Sequence, residues 1–234
     1  MVVAPPPAAV DPKILAKRLI SQQADWPRSR KFDCKRLKCV ALTFDDGPNE
    51  QTARLLDILS RRDVKATFFV LGQMVAADPG GRLTRRIVED GHELGNHSWS
   101  HPTLTGLSQE ALHRELKGTG DLVEKITGVR MRLMRPPYGA TNDAVAEASR
   151  QQGMAQILWT VDTLDWLNRS AGVVAQRGGE AKPGSIVLLH DIHASSVDAV
   201  PAMLDTLARK GYTFVTVSEL YGQPPTPGLT YIER

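Results

Sequence analysis

From residue 40 onward, short apolar runs rich in β-branched and aromatic residues alternate with segments whose apolar residues recur at helical spacing. A chain written this way builds βα units, because each crossover helix returns it to the same end of the sheet and the strands then lie parallel. Residues 40–44, 66–71, 91–96, 131–134, 155–161, 185–189 and 212–217 read as strands. Residues 52–62, 83–90, 142–152 and 197–209 read as helices, as does a longer segment capped by Ser108 and closed by Gly128. The pattern predicts about seven parallel strands in one α/β, barrel-like domain, with an open doubly wound sheet as the alternative. Before it lies a Pro- and Ala-rich, then basic, extension (1–37), in which residues 14–20 can form a short amphipathic helix; 38–222 is the expected domain and 223–234 a C-terminal tail.

Several functions are excluded early. No apolar run approaches the ~18 residues of a membrane span, and neither G-x-G-x-x-G nor G-x-x-x-x-G-K-[ST] occurs, which argues against nucleotide use. A formal charge of +3 without a basic, aromatic-interleaved stripe does not suit nucleic acid. The N-terminal residues show no signal-peptide pattern, which a removed leader would also explain. The two cysteines, Cys34 and Cys39, flank the entry to the first strand and are read as a disulfide stapling the extension to the barrel, hence an oxidising compartment. Two reduced thiols, with Cys39 a small core residue, is the competing reading.

The chemistry-bearing residues fall where strands end. Asp45 and Asp46 close the first strand, and His97 and His101 follow the third. Two imidazoles and one carboxylate can hold a divalent ion on one face, and the second carboxylate is then free to take a proton from a water. Arg135, stiffened by Pro136 and Pro137, can fix a carboxylate, and the Tyr138 N–H can donate to an oxyanion. Asp162 and Asp165 precede Trp166, an aromatic wall suited to a sugar face, and His190 ends a further strand. His92 and His113 read as ordinary structural residues, Asp162 and Asp191 as securing their own loops, and His193 receives no role.

Five segments in order, Thr43-Phe44-Asp45-Asp46-Gly47-Pro48, His97-Ser98-Trp99-Ser100-His101, Arg135-Pro136-Pro137-Tyr138, Asp162-Thr163-Leu164-Asp165-Trp166 and Ile186-Val187-Leu188-Leu189-His190, resemble the motifs of the polysaccharide deacetylases. This is the NodB-homology family, also called carbohydrate esterase family 4, and the match runs over residues 38–220. The resemblance implies a distorted (β/α) barrel that removes acetyl groups from sugars with one divalent ion, zinc or else cobalt or nickel. It implies Asp46, His97 and His101 as ligands, Asp45 as general base held by Arg135, and His190 as general acid kept protonated by Asp165. The Tyr138 amide, beside Pro137, would serve the oxyanion, and Trp166 and Leu188 would line a pocket for the acetyl methyl. The expected substrate is an N-acetylglucosamine polymer of peptidoglycan or chitin type, met by a monomer that is secreted or cell-wall associated. An acetylxylan esterase using the same site and a silent carbohydrate-binding protein are the alternatives. The bound cation and Arg135 are expected to lower the pKa of Asp45, and Asp165 to raise that of His190.

Overall fold

The structure, a computed structural model, describes residues 30–234; the helix expected at 14–20 lies outside them. Among the described residues nine strands form one sheet in the order β6-β7-β1-β2-β3-β4-β5-β9, with β8 added on β1. They are β1 (Lys38–Asp45), β2 (Thr67–Val70), β3 (Glu93–Asn96), β4 (Leu133–Met134), β5 (Ala155–Ile157), β6 (Val161–Asp162), β7 (Ile186–His190), β8 (Tyr212–Val215) and β9 (Thr230–Tyr231). Every ladder is parallel. The helices are α1 (Glu50–Arg61), α2 (Gly72–Ala77), α3 (Arg82–Glu89), α4 (Gln109–Thr127), α5 (Asp143–Gln151), α6 (Ala171–Gly178), α7 (Ala194–Arg209) and α8 (Val217–Tyr221).

The pleat of β1 explains how one strand serves core and site. Val40, Leu42 and Phe44 pack outward in a core with Leu55, Leu56 and Leu59 of α1 and Val200 and Leu204 of α7. Cys39 and Ala41 point the other way, into a smaller inner core with Phe69, Leu133, Ile157 and Ile186. Alternation puts Thr43 and Asp45 on that inner face, so the strand turns from small to polar as it approaches its C-terminal end. At the opposite end α8 closes the barrel, where the buried Glu93 carboxylate accepts from Thr67 Oγ1 (3.1 Å) and Ser218 N (3.1 Å).

Four sequence expectations change. The run 155–161 is two strands, because the carbonyls of Ile157 and Leu158 turn inward to the Arg135 guanidinium (3.0 and 3.1 Å). The chain then crosses from β5 to β6, Leu158 N–H bonding Tyr231 and Thr160 N–H bonding Ile186 (2.8 and 3.1 Å). Residues 217–221, whose first residue was read as strand, form α8 once Thr216 caps it reciprocally with Glu219. The expected tail contributes β9, hydrogen-bonded to β5, and the barrel thus extends past residue 222. Nine strands replace seven, the additions being pieces two residues long, too short for any periodicity to register. Cys34 and Cys39 lie in disulfide geometry, Cα–Cα 5.5 Å, and tie the segment around Phe32 to the inner core.

Candidate active site

Register assembles the site. In the β1–β7 ladder Asp45 pairs with His190, and in the β3–β4 ladder Asn96 pairs with Met134. The residues that follow, His97 and Arg135, are thereby brought to the same end of the barrel as Asp45. Sequence separations of 90 between Asp45 and Arg135 collapse to a 2.8 Å ion pair.

Arg135 is fully buried, and each of its three guanidinium nitrogens donates a hydrogen bond. Nη1 donates to Asp45 Oδ1 and to Thr43 Oγ1, each at 2.8 Å. The guanidinium also lies 4.2 Å from the Phe69 ring centroid and 5.5 Å from that of Trp159. Gly95 leaves room for this stack, since a Cβ there would stand 2.4 Å from the Phe69 ring. Burial raises the pKa of Asp45 above its ordinary value, against the lowering effect of Arg135 and His190. The expected lowering therefore does not hold for the protein alone: desolvation in so deep a site outweighs one guanidinium.

Asp46, His97 and His101 converge, their ligating atoms all within 4.8 Å of one another. Asp46 Oδ1 faces His97 Nε2 at 3.5 Å and His101 Nε2 at 3.6 Å. That oxygen is buried and has no hydrogen-bond partner. His97 Nδ1 lies 2.8 Å from the Arg135 carbonyl, which makes Nδ1 the donor and leaves the Nε2 lone pair facing Asp46. Burial pushes the pKa of His97 down to about 3, so its ring is neutral at physiological pH. An orphaned carboxylate oxygen beside two imidazoles, that of His97 neutral and oriented, is a donor set that fits a divalent cation.

The loop carrying the two histidines is held from α4. Glu115 Oε2 accepts from the N–H groups of Trp99 (2.8 Å) and Ser100 (2.9 Å), and Asn96 Oδ1 accepts from Ser98 N (2.8 Å). Among the described residues, non-glycine positions with positive φ are Asp46, Ser98, His101, Tyr138, Leu164 and Asp63, and only Asp63 lies away from this site. Left-handed backbone at such residues costs free energy and persists where the surroundings dictate it. Tyr138, in the turn Pro137–Gly139, extends an exposed ring whose centroid is 4.6 Å from that of His101.

Across the cleft, Asp165 Oδ1 lies 2.8 Å from His190 Nδ1, and its other oxygen accepts from His190 N (2.7 Å) and Ser196 Oγ (2.5 Å). Burial alone would lower the pKa of His190, but the hydrogen bond and charge of Asp165, with Asp45 and Asp46, raise it to about 9. Burial likewise opposes ionisation of Asp165, and its bonds to His190 and Ser196 overcome it, leaving the pKa lowered. Trp166 is half exposed on the rim, while Leu188 is buried two residues before His190, on the same face of β7. Asp162 Oδ1 accepts from Leu164 N (2.8 Å), securing its own loop. His193 stands beside His190, ring centroids 6.2 Å apart, and burial lowers its pKa. His92 is a core residue whose Nδ1 accepts from Ala66 N (3.1 Å).

All of the sequence-derived candidates thus gather at one end of the barrel. Thr43, Phe69, Trp159, Glu115 and Ser196 escaped the sequence reading because each acts through a partner distant in the chain. Only Thr43 carried a signal, as the first residue of the segment Thr43–Pro48.

A family model described as polysaccharide deacetylase matches residues 33–157. The chain is 43% identical over 220 residues to a peptidoglycan-N-acetylglucosamine deacetylase of Listeria monocytogenes, covering 93% of this chain and 46% of that protein. It is 44% identical over 185 residues to a peptidoglycan-N-acetylmuramic acid deacetylase of Bacillus subtilis, covering 78% and 38% respectively. The chain therefore spans less than half the length of these two relatives. A family 4 carbohydrate esterase from Streptomyces lividans, solved in complex with acetate, superposes with a TM-score of 0.75 at 35% identity, covering 81% of this chain and 97% of that one.

Proposed function

The chain belongs to the polysaccharide deacetylase family, and from that premise we propose that it hydrolyses N-acetyl groups from N-acetylhexosamine residues of a cell-wall glycan. The observation that carries the reading is the opposition, across neighbouring strands, of Asp45 on Arg135 and His190 on Asp165, beside the Asp46–His97–His101 cluster.

Asp46, His97 and His101 would hold the ion, zinc being the expected metal. When bound, such an ion polarises an acyl carbonyl and acidifies water. Asp45, fixed by Arg135 and facing His97 Nε2 at 3.7 Å, takes the proton of the attacking water. The Tyr138 N–H donates to the developing oxyanion. His190, whose pKa of about 9 keeps it protonated at neutral pH, delivers a proton to the departing amine. Trp166 and Leu188 bound the space for the acetyl methyl.

The proposal includes a monomer, and with a wall glycan as substrate the enzyme would act outside the membrane. No helix among the described residues is long and apolar enough to cross one. The catalytic unit is residues 38–222 completed by β9. Acetate release from peptidoglycan, chitin oligomers and acetylated xylan tests the proposal. Release from the first two supports N-deacetylation, release from xylan alone favours an O-acetyl esterase, and no release by zinc-loaded protein overturns both.

A further inference from the structure

Asp191 follows His190 directly and has no part in the chemistry above. It is 1% exposed, yet only one of its oxygens is bonded to another residue: Oδ2 accepts from Thr52 Oγ1 at 2.5 Å, while Oδ1 accepts from none. A buried, half-satisfied carboxylate is expensive, and an apolar residue of the same size would fill the space at less cost.

Its position suggests what it does. The carboxylate lies flat against Gly47, where an added Cβ would meet both oxygens at 2.6 Å. Gly47 is the residue after Asp46, which the chain holds at φ 75°. Thr52 is equally well anchored, its Oγ1 accepting from Asn49 N at 2.8 Å in the cap of α1. One side chain therefore spans from the end of β7 to the ligand-bearing turn and the first turn of α1. We infer that Asp191 is a positioning residue: clamped by Thr52, it wedges Gly47 and holds Asp46 in the left-handed turn that aims Oδ1 at His97 and His101.

The inference rests on the metal-site reading proposed above. Its test is the zinc dissociation constant by chelator competition, with the visible spectrum of cobalt-loaded protein and the melting temperature of the metal-free form. Asp191→Ala should weaken zinc binding by about 10-fold or more, the range for residues that orient ligands, and alter the cobalt spectrum. Asp191→Asn keeps the wedge and an acceptor for Thr52, and should bind zinc within a few-fold of wild type. Thr52→Val removes the clamp together with the acceptor for Asn49 N in the cap of α1, and should weaken zinc by an intermediate factor; it carries the test should Asp191→Ala fail to fold. Lower melting temperatures with unchanged zinc affinity in Asp191→Ala or Thr52→Val would mean a merely structural role and overturn the inference. So would an Asp191→Asn as impaired as Asp191→Ala, since charge rather than position would then matter. A wild type that binds no stoichiometric metal overturns the functional reading itself, whereas equal affinity in wild type and Asp191→Ala overturns this inference alone.

Discussion

Replacing Asp165 with Asn isolates the electrostatic support of the general acid. In the native protein His190 is raised to about 9 from the 6.5 of an ordinary imidazole, despite burial that works in the opposite direction. Asp165 is the main source, through a 2.8 Å bond to Nδ1 and its negative charge. Asn keeps an acceptor for His190 N or Ser196 but removes the charge, while the burial remains. The His190 pKa should therefore fall to 6.5 or lower. At pH 7.5 the protonated fraction drops from roughly 97% to roughly 9%, which is about a tenfold loss of rate from protonation alone. The sign is definite: activity on the alkaline side requires the proton on His190, so a lower pKa moves the alkaline limb to lower pH. In the metal-loaded enzyme a bound cation offsets the share contributed by Asp45 and Asp46, and both limbs shift down together. The assay is kcat/KM on an N-acetylated oligosaccharide as a function of pH with zinc held saturating, paired with an NMR titration of His190 in the metal-free protein. An alkaline limb and a His190 titration unmoved by the substitution would refute the pairing as the source of the acid.

Chelator treatment should abolish activity and zinc or cobalt should restore it, with elemental analysis finding one ion per chain; His97→Ala should lose both ion and turnover. Asp45→Asn should retain the metal yet lose on the order of 10²–10⁴ in kcat, and release of the metal would mean that the two aspartates exchange roles. Reduction of the Cys34–Cys39 pair, read by intact mass, should cost no more than about 2 kcal/mol of stability for so short a loop. Two free thiols after passage through an oxidising compartment would refute the bond.

Much of the site was legible because its residues occupy local positions with local signatures. Asp45, Asp46, His97, Arg135, Asp165 and His190 each stand at or just past a strand's C-terminal end. Parallel topology is enough to send all such ends to one face. The sequence alone thus determined the βα order, the cap at Ser108, the helix stop at Gly128, and the set of side chains that meet. Ser108 Oγ accepts from Ala111 N (3.2 Å), and Gly128 takes the left-handed cap. Each of these depends on residues within a few positions, where spacing and backbone preference act directly.

Tertiary structure decided what depends on distant partners. The split of residues 155–161 follows from a guanidinium arriving from residue 135 to claim two carbonyls. The final strand exists only because β5 has a free edge for Thr230 and Tyr231. Asp45 is pushed up rather than down because desolvation sums over everything packed around it, not over its charged neighbours in the sequence. Asp191 reads as a loop residue until the fold lays its carboxylate against Gly47, 144 positions earlier in the numbering, and ties it to the Thr52 hydroxyl. Side-chain chemistry is encoded residue by residue, whereas solvation, register and close approach are properties of the packed whole, and they arise only once the strands have found their order.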